Sequence, residues 1–122
     1  MRIVETDIGN SGEIHKLYVE YSKDIGRTPP RPEFWLAKFS DPTFFLLLAK
    51  HGKKPVGFIM GNTCPYFDVP TLQFDAFFIR RGFRKFKFVR ALANDAKGFL
   101  NHLKIKTFMY TRSKSRERSL NG

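Results

Sequence analysis

Cysteine is nearly absent. Cys64 is the one thiol in 122 residues, so no disulfide can form within the chain. A reducing, cytoplasmic setting is the simplest reading of that scarcity. Long apolar runs are missing too: Phe44–Ala49 falls far short of the ~20 residues that cross a bilayer. Arg2, Glu5 and Asp7 put charge where a secretory leader is apolar, so no leader and no membrane partner are expected. The three histidines, His15, His51 and His102, stand apart without ligand spacing, and no metal site is expected. No repeat or low-complexity segment is seen. Acids are scarce, 11 against 22 lysines and arginines, for a net charge of +11. Such an excess favours anionic partners, whether nucleic acid, a polyphosphate, an acidic protein or a charged surface, and selects none of them.

Phenylalanine is abundant, at fourteen, and 42% of the chain is hydrophobic. One folded domain over residues 1–122 is expected, with a core built largely from aromatic rings. Arg2–Glu5 reads as a short strand. Ile14, Leu17, Tyr18, Tyr21 and Ile25 mark one face of a helix, with Asp7, Asn10 or Ser11 as its cap. Gly26–Pro32 breaks it. Glu33–Phe39 forms a second short helix, with Trp35 and Phe39 on one side. Thr43–Lys50 and Pro55–Thr63 make a hairpin about the turn at His51–Lys54, and Cys64–Pro70 reads as a loop. Thr71–Ile79 alternates as a half-buried strand, and Phe88, Val89, Leu92, Ala96, Phe99, Leu100 and Leu103 recur at helical spacing. Lys104–Thr111 reads as a further strand and Arg112–Leu120 as a last helix. The order β-α-α-β-β-β-α-β-α predicts a mixed sheet in an α/β or α+β domain.

The most informative stretch is the basic turn between the aromatic strand and its helix. Arg80, Arg81, Arg84, Lys85, Lys87 and Arg90 place six cations within eleven residues. A strand feeding a helix through such a turn aims free N–H groups and positive charge at one spot, which suits a phosphorylated ligand. A solvated basic face, with Arg80 and Arg81 paired to acids, is the alternative. Asp75 lies mid-strand. Strict alternation puts it on a face with Gln73, Phe77 and Ile79, opposite Leu72, Phe74, Ala76 and Phe78. Apolar neighbours there raise a carboxyl pKa and suit it to act as a base; pairing to an arginine at the sheet surface is the plainer role.

These features resemble the N-acetyltransferase (GNAT) superfamily over nearly the whole chain. Lys50–Met60 is similar to the family's second and third strands with their glycine-bearing turn. Ile79–Leu92 is similar to the stretch where a strand ends, a basic loop holds the coenzyme A pyrophosphate and a helix begins. Thr111–Gly122 is similar to its last helix. The pattern departs in places. With Arg84 as the loop arginine, Phe88, Lys85 and Lys87 stand where small residues are common. Thr111 replaces a frequent asparagine, the frequent general-acid tyrosine falls near Arg118, and the chain stops at Gly122, before the final two strands. An Arg-Lys-Phe loop also resembles acetyltransferase-like proteins of bacterial viruses, among them internal virion proteins of short-tailed phages.

The resemblance implies an acetyl-CoA-dependent N-acyltransferase acting on a primary amine by direct transfer. Phe77, Phe78 and Ile79 would flank the pantetheine arm, and Arg84, Lys85, Phe86, Lys87 and Phe88 would hold the pyrophosphate. Asp75 would take the amine's proton, and Tyr110 or Ser113 would protonate the leaving thiolate. The other reading is a non-catalytic module on the same fold that contacts nucleic acid or an acidic protein. The basic tail at Arg112, Lys114, Arg116 and Arg118 is either a solvated end or a phosphate-contacting arm. A sheet without its last strands leaves an edge open to a second copy of the chain.

Overall fold

The computed structural model describes residues 2–66 and 69–121, with side chains detailed for 2–64 and 69–104. Strands β1 (Arg2–Glu5), β2 (Phe44–His51), β3 (Lys54–Tyr66) and β4 (Val69–Ile79) form one antiparallel sheet in the order β1-β2-β3-β4. Helices α1 (Ser11–Asp24) and α2 (Phe34–Ser40) cover one face, and α3 (Phe86–Asn121) covers the other.

The continuous apolar run of β2 exists because both its faces are covered. Leu46 and Leu48 point into a cluster with Ile14, Leu17, Trp35, Phe58 and Phe78 beneath α1 and α2. Phe45 and Leu47 point the other way, against Leu103 of α3, and Ala49 packs near Leu92. The expected ring-rich core is present in the first cluster, where Tyr18 lies 5.2 Å from Trp35 and 5.6 Å from Phe58 between centroids. Trp35 donates from Nε1 to Nδ1 of His15 at 3.2 Å, which gives one of the isolated histidines a structural partner. A 3-10 turn at Ile8–Asn10 leads into α1 and is capped by Asp7, whose side chain accepts from the Gly9 amide at 2.8 Å, while Asn10 Oδ1 accepts from the Asp7 amide.

Three sequence expectations change. First, Cys64 is not in a loop: β3 runs on to Tyr66 and β4 resumes at Val69, a longer hairpin than alternation suggested. Second, α3 does not stop before Lys104. It continues through the expected strand Lys104–Thr111 and the expected last helix, because neither proline nor a glycine cap interrupts the run between Gly98 and Gly122. The described residues therefore hold no strand–helix–strand crossover, and the described strands are all antiparallel.

Third, the alternation of β4 is broken. Met60 pairs with Ala76 but Gly61 pairs with Phe74, which leaves Asp75 as the extra residue of a β-bulge. The bulge brings Leu72 and Phe74 onto the α3 side together with Phe77 and Ile79. Asp75 consequently does not share the apolar face expected for it. Gly61 permits this geometry, since a Cβ there would overlap the Gln73 carbonyl oxygen.

Candidate active site

β4 is an edge strand. It delivers its chain to a one-turn 3-10 segment at Arg81–Phe83, and α3 begins three residues later. The turn is anchored rather than free. Arg80 donates its amide to the Val56 carbonyl at 2.8 Å, and Phe83 and Arg84 donate theirs to Arg80 and Arg81. Phe83 packs between His51, 5.5 Å away, and Phe88, 6.4 Å away.

Helix α1 supplies the acids that hold this turn. Arg80 Nε contacts Glu20 Oε2 at 2.6 Å, while Arg81 and Arg84 reach the two oxygens of Asp24 at 3.4 and 3.1 Å. Arg84 also donates from Nε to the Ile79 carbonyl at 2.5 Å and lies over the Phe78 ring. Of the six cations, three therefore have acidic partners inside the chain. Sequence reasoning did not single out Glu20 and Asp24; their four-residue spacing on one helix was the available signal.

The start of α3 is different. Phe88 and Val89 donate their amides to the Lys85 carbonyl, while among the described residues no acceptor takes the amides of Lys85, Phe86 or Lys87. All three residues are exposed, Phe86 at 77%. The elbow is thus open where its backbone donors are unpaired, and the two lysine side chains beside them carry no acid partner among the described ion pairs. Unpaired amides at the start of a helix are donors of the kind that anions take.

Two recesses flank this end of β4. A cleft of about 650 Å³ runs between β4 and α3, lined by Leu72, Phe74, Phe77, Ala96, Leu100 and neighbouring residues. A smaller recess of about 420 Å³ lies between α1, β4 and the elbow, and includes Tyr21, Asp24, Phe77, Phe78, Ile79 and Arg84. Phe77, Phe78 and Ile79, expected beside a cofactor arm, line both.

Asp75 is exposed in the bulge and within electrostatic range of Tyr18. Burial raises the Tyr18 hydroxyl above the usual tyrosine value, with Tyr21 and Asp75 adding to it and Arg27 opposing. Tyr110 and Ser113 fall on the backbone of α3, and their side chains lie outside the described residues, as does the basic tail. No group of three or more His, Cys, Asp and Glu among the described residues could hold a metal ion. None of the described helices is long and apolar enough to cross a membrane.

Residues 11–121 match the model of the acetyltransferase (GNAT) family. Solved structures agree on the fold. A GNAT family acetyltransferase from Staphylococcus aureus subsp. aureus USA300_TCH1516 superposes with a TM-score of 0.64 at 22% identity, over 85% of this chain and 82% of that one. A ribosomal-protein-alanine N-acetyltransferase from Brucella melitensis biovar Abortus 2308 gives 0.61 at 18%, over 79% and 71%. An aminoglycoside acetyltransferase from an uncultured soil metagenomic sample, in complex with sisomicin, gives 0.68 at 11%, over 83% and 70%. No curated protein matches the chain by sequence.

Proposed function

The chain belongs to the acetyltransferase (GNAT) family, and from that premise we propose that it is an N-acyltransferase moving an acetyl group from acetyl-CoA to a primary amine by direct transfer. One observation carries the reading: the amides of Lys85, Phe86 and Lys87 have no acceptor among the described residues where a 36-residue helix opens, one 3-10 turn beyond an edge strand. The pyrophosphate of the donor would sit on those amides, with Lys85 and Lys87 adding charge in place of the close approach that glycine allows. Arg84 has internal partners of its own. Its bonds to Ile79 and Asp24 shape the elbow rather than reach outward. Phe77, Phe78, Ile79, Phe86 and Phe88 would border the rest of the donor.

Acetyl-CoA supplies an activated thioester, so the protein's part is mainly to position an amine and manage protons. Asp75, exposed at the bulge, would accept the amine's proton directly or through water. Tyr110 or Ser113 would return one to the thiolate. The acceptor is an amine-bearing molecule; ribosomal-protein alanine and aminoglycosides are the acceptors named for two structural neighbours.

The test is thermal. Acetyl-CoA at one hundred times its dissociation constant adds about 2.7 kcal/mol of stability, which for a domain of this size raises Tm by roughly 10 °C. No shift with acetyl-CoA or coenzyme A at millimolar concentration refutes the reading. A second reading, a non-catalytic module contacting nucleic acid or an acidic protein, is favoured by the net charge of +11 and by Lys85 and Lys87 standing where the family's loop glycines are common. Absence of both a thermal shift and amine acetylation, together with salt-sensitive binding of DNA or RNA, selects it.

A further inference from the structure

The cleft between β4 and α3 has a mixed character that the elbow does not explain. Two phenylalanine rings stand half out of the sheet at its mouth, Phe74 at 53% and Phe77 at 58% exposure. Both lie on the same side of β4, brought there by the bulge, and both line the cleft. Facing them across it, α3 contributes Lys97, Asn101 and Lys104. These belong to a longer row, since Lys87, Arg90, Asn94, Lys97, Asn101 and Lys104 alternate steps of three and four. That spacing sets them on one flank of the helix over about 25 Å. Asp95, the acid of this part of α3, falls on the opposite flank, and the described ion pairs give none of these lysines and arginines an acidic partner.

An apolar partner would leave the cationic row unmatched. A lipid surface is met by a broad apolar face beside the cations, whereas here the exposed apolar surface beside the row is two rings in a cleft. A double helix keeps its base faces stacked and gives exposed rings nothing to cover. The ligand that presents flat aromatic faces and a chain of negative charges together is an unpaired polynucleotide. We infer that the β4–α3 groove binds single-stranded nucleic acid, with Phe74 and Phe77 stacking bases and Lys97 and Lys104 holding the phosphates. Asn101 offers a donor and an acceptor between the two lysines. The chain's +11 charge speeds encounter with such a ligand. The inference does not rest on acyl transfer, and the two ligands would compete where Phe77 borders both.

Fluorescence anisotropy of a labelled oligothymidylate of about fifteen nucleotides, titrated with the full chain, tests it. Binding should weaken steeply with salt, and the Lys97→Ala/Lys104→Ala variant should flatten the log–log slope by about 1.4. Phe74→Leu/Phe77→Leu keeps the apolar bulk against Phe45 but removes the flat faces, and should cost tenfold or more in affinity. Both variants should keep the parent's circular dichroism. Equal affinity for a duplex of the same length, an unchanged affinity in the leucine variant, or preference for polyglutamate or anionic vesicles overturns the assignment.

Discussion

Replacing Gly61 with alanine adds one methyl group where β3 faces the backbone of β4 at the bulge. The new Cβ would overlap the Gln73 carbonyl oxygen and press on Phe74 Cα, both of them backbone that no rotamer change can move. Relief requires β4 to shift away from β3 or the bulge at Asp75 to be lost. Losing the bulge would return Leu72 and Phe74 to the α1 face and strip the α3 cleft of its wall. Strain of this kind costs about 1–3 kcal/mol, or a fall in Tm of roughly 5–15 °C. Gly98→Ala is the matched control. It adds the same methyl group on α3 where nothing lies within 4 Å, and should stabilise by about 0.5–1 kcal/mol through helix propensity. Urea unfolding of the two variants and the parent, followed by circular dichroism, measures both. A Gly61→Ala midpoint equal to the parent's refutes the claim that the glycine sustains the bulge.

The elbow and the charged loops yield three further expectations. Lys85→Glu/Lys87→Glu should weaken acetyl-CoA binding at least tenfold by calorimetric titration without lowering Tm, whereas Arg84→Glu should lower both, since it severs the Asp24 and Ile79 contacts. Asp75→Asn should leave the fold intact and reduce turnover at most modestly; complete loss of acetylation in a folded variant would show the carboxylate to be indispensable. Asp41 is held below the ordinary carboxylate range chiefly by the Thr43 amide, then by the Thr43 hydroxyl, with Asn62 adding to both. Its stabilisation is therefore present above that range and lost as acid protonates it, so Asp41→Asn should flatten the decline in Tm below about pH 4.

Much of the architecture was legible because each local signal agreed with its neighbours. The β1 segment, the apolar stripe of α1 and the Gly52 turn, where φ is +62°, all follow from period and turn chemistry. Asp75 was misplaced because alternation presumes an unbroken pleat, and a bulge announces itself in sequence by little more than a glycine on the partner strand. Ile105, Thr107, Phe108 and Tyr110 have the composition of a strand, yet nothing in the preceding run ends the helix. The basic turn was recognised from its charges. That Glu20 and Asp24 neutralise part of it depends on α1 crossing residues some sixty positions distant, which no local pattern records.

The sheet order β1-β2-β3-β4 also has a kinetic side. From Phe44 to Ile79 every strand pairs with the one that follows it, through short connections, so this meander closes small loops and can assemble on the microsecond scale of hairpins. The first strand must instead wait for α1 and α2 to turn back before it meets Leu47–Lys50. The amino-terminal strand, with the longest loop to close, is therefore expected among the late arrivals.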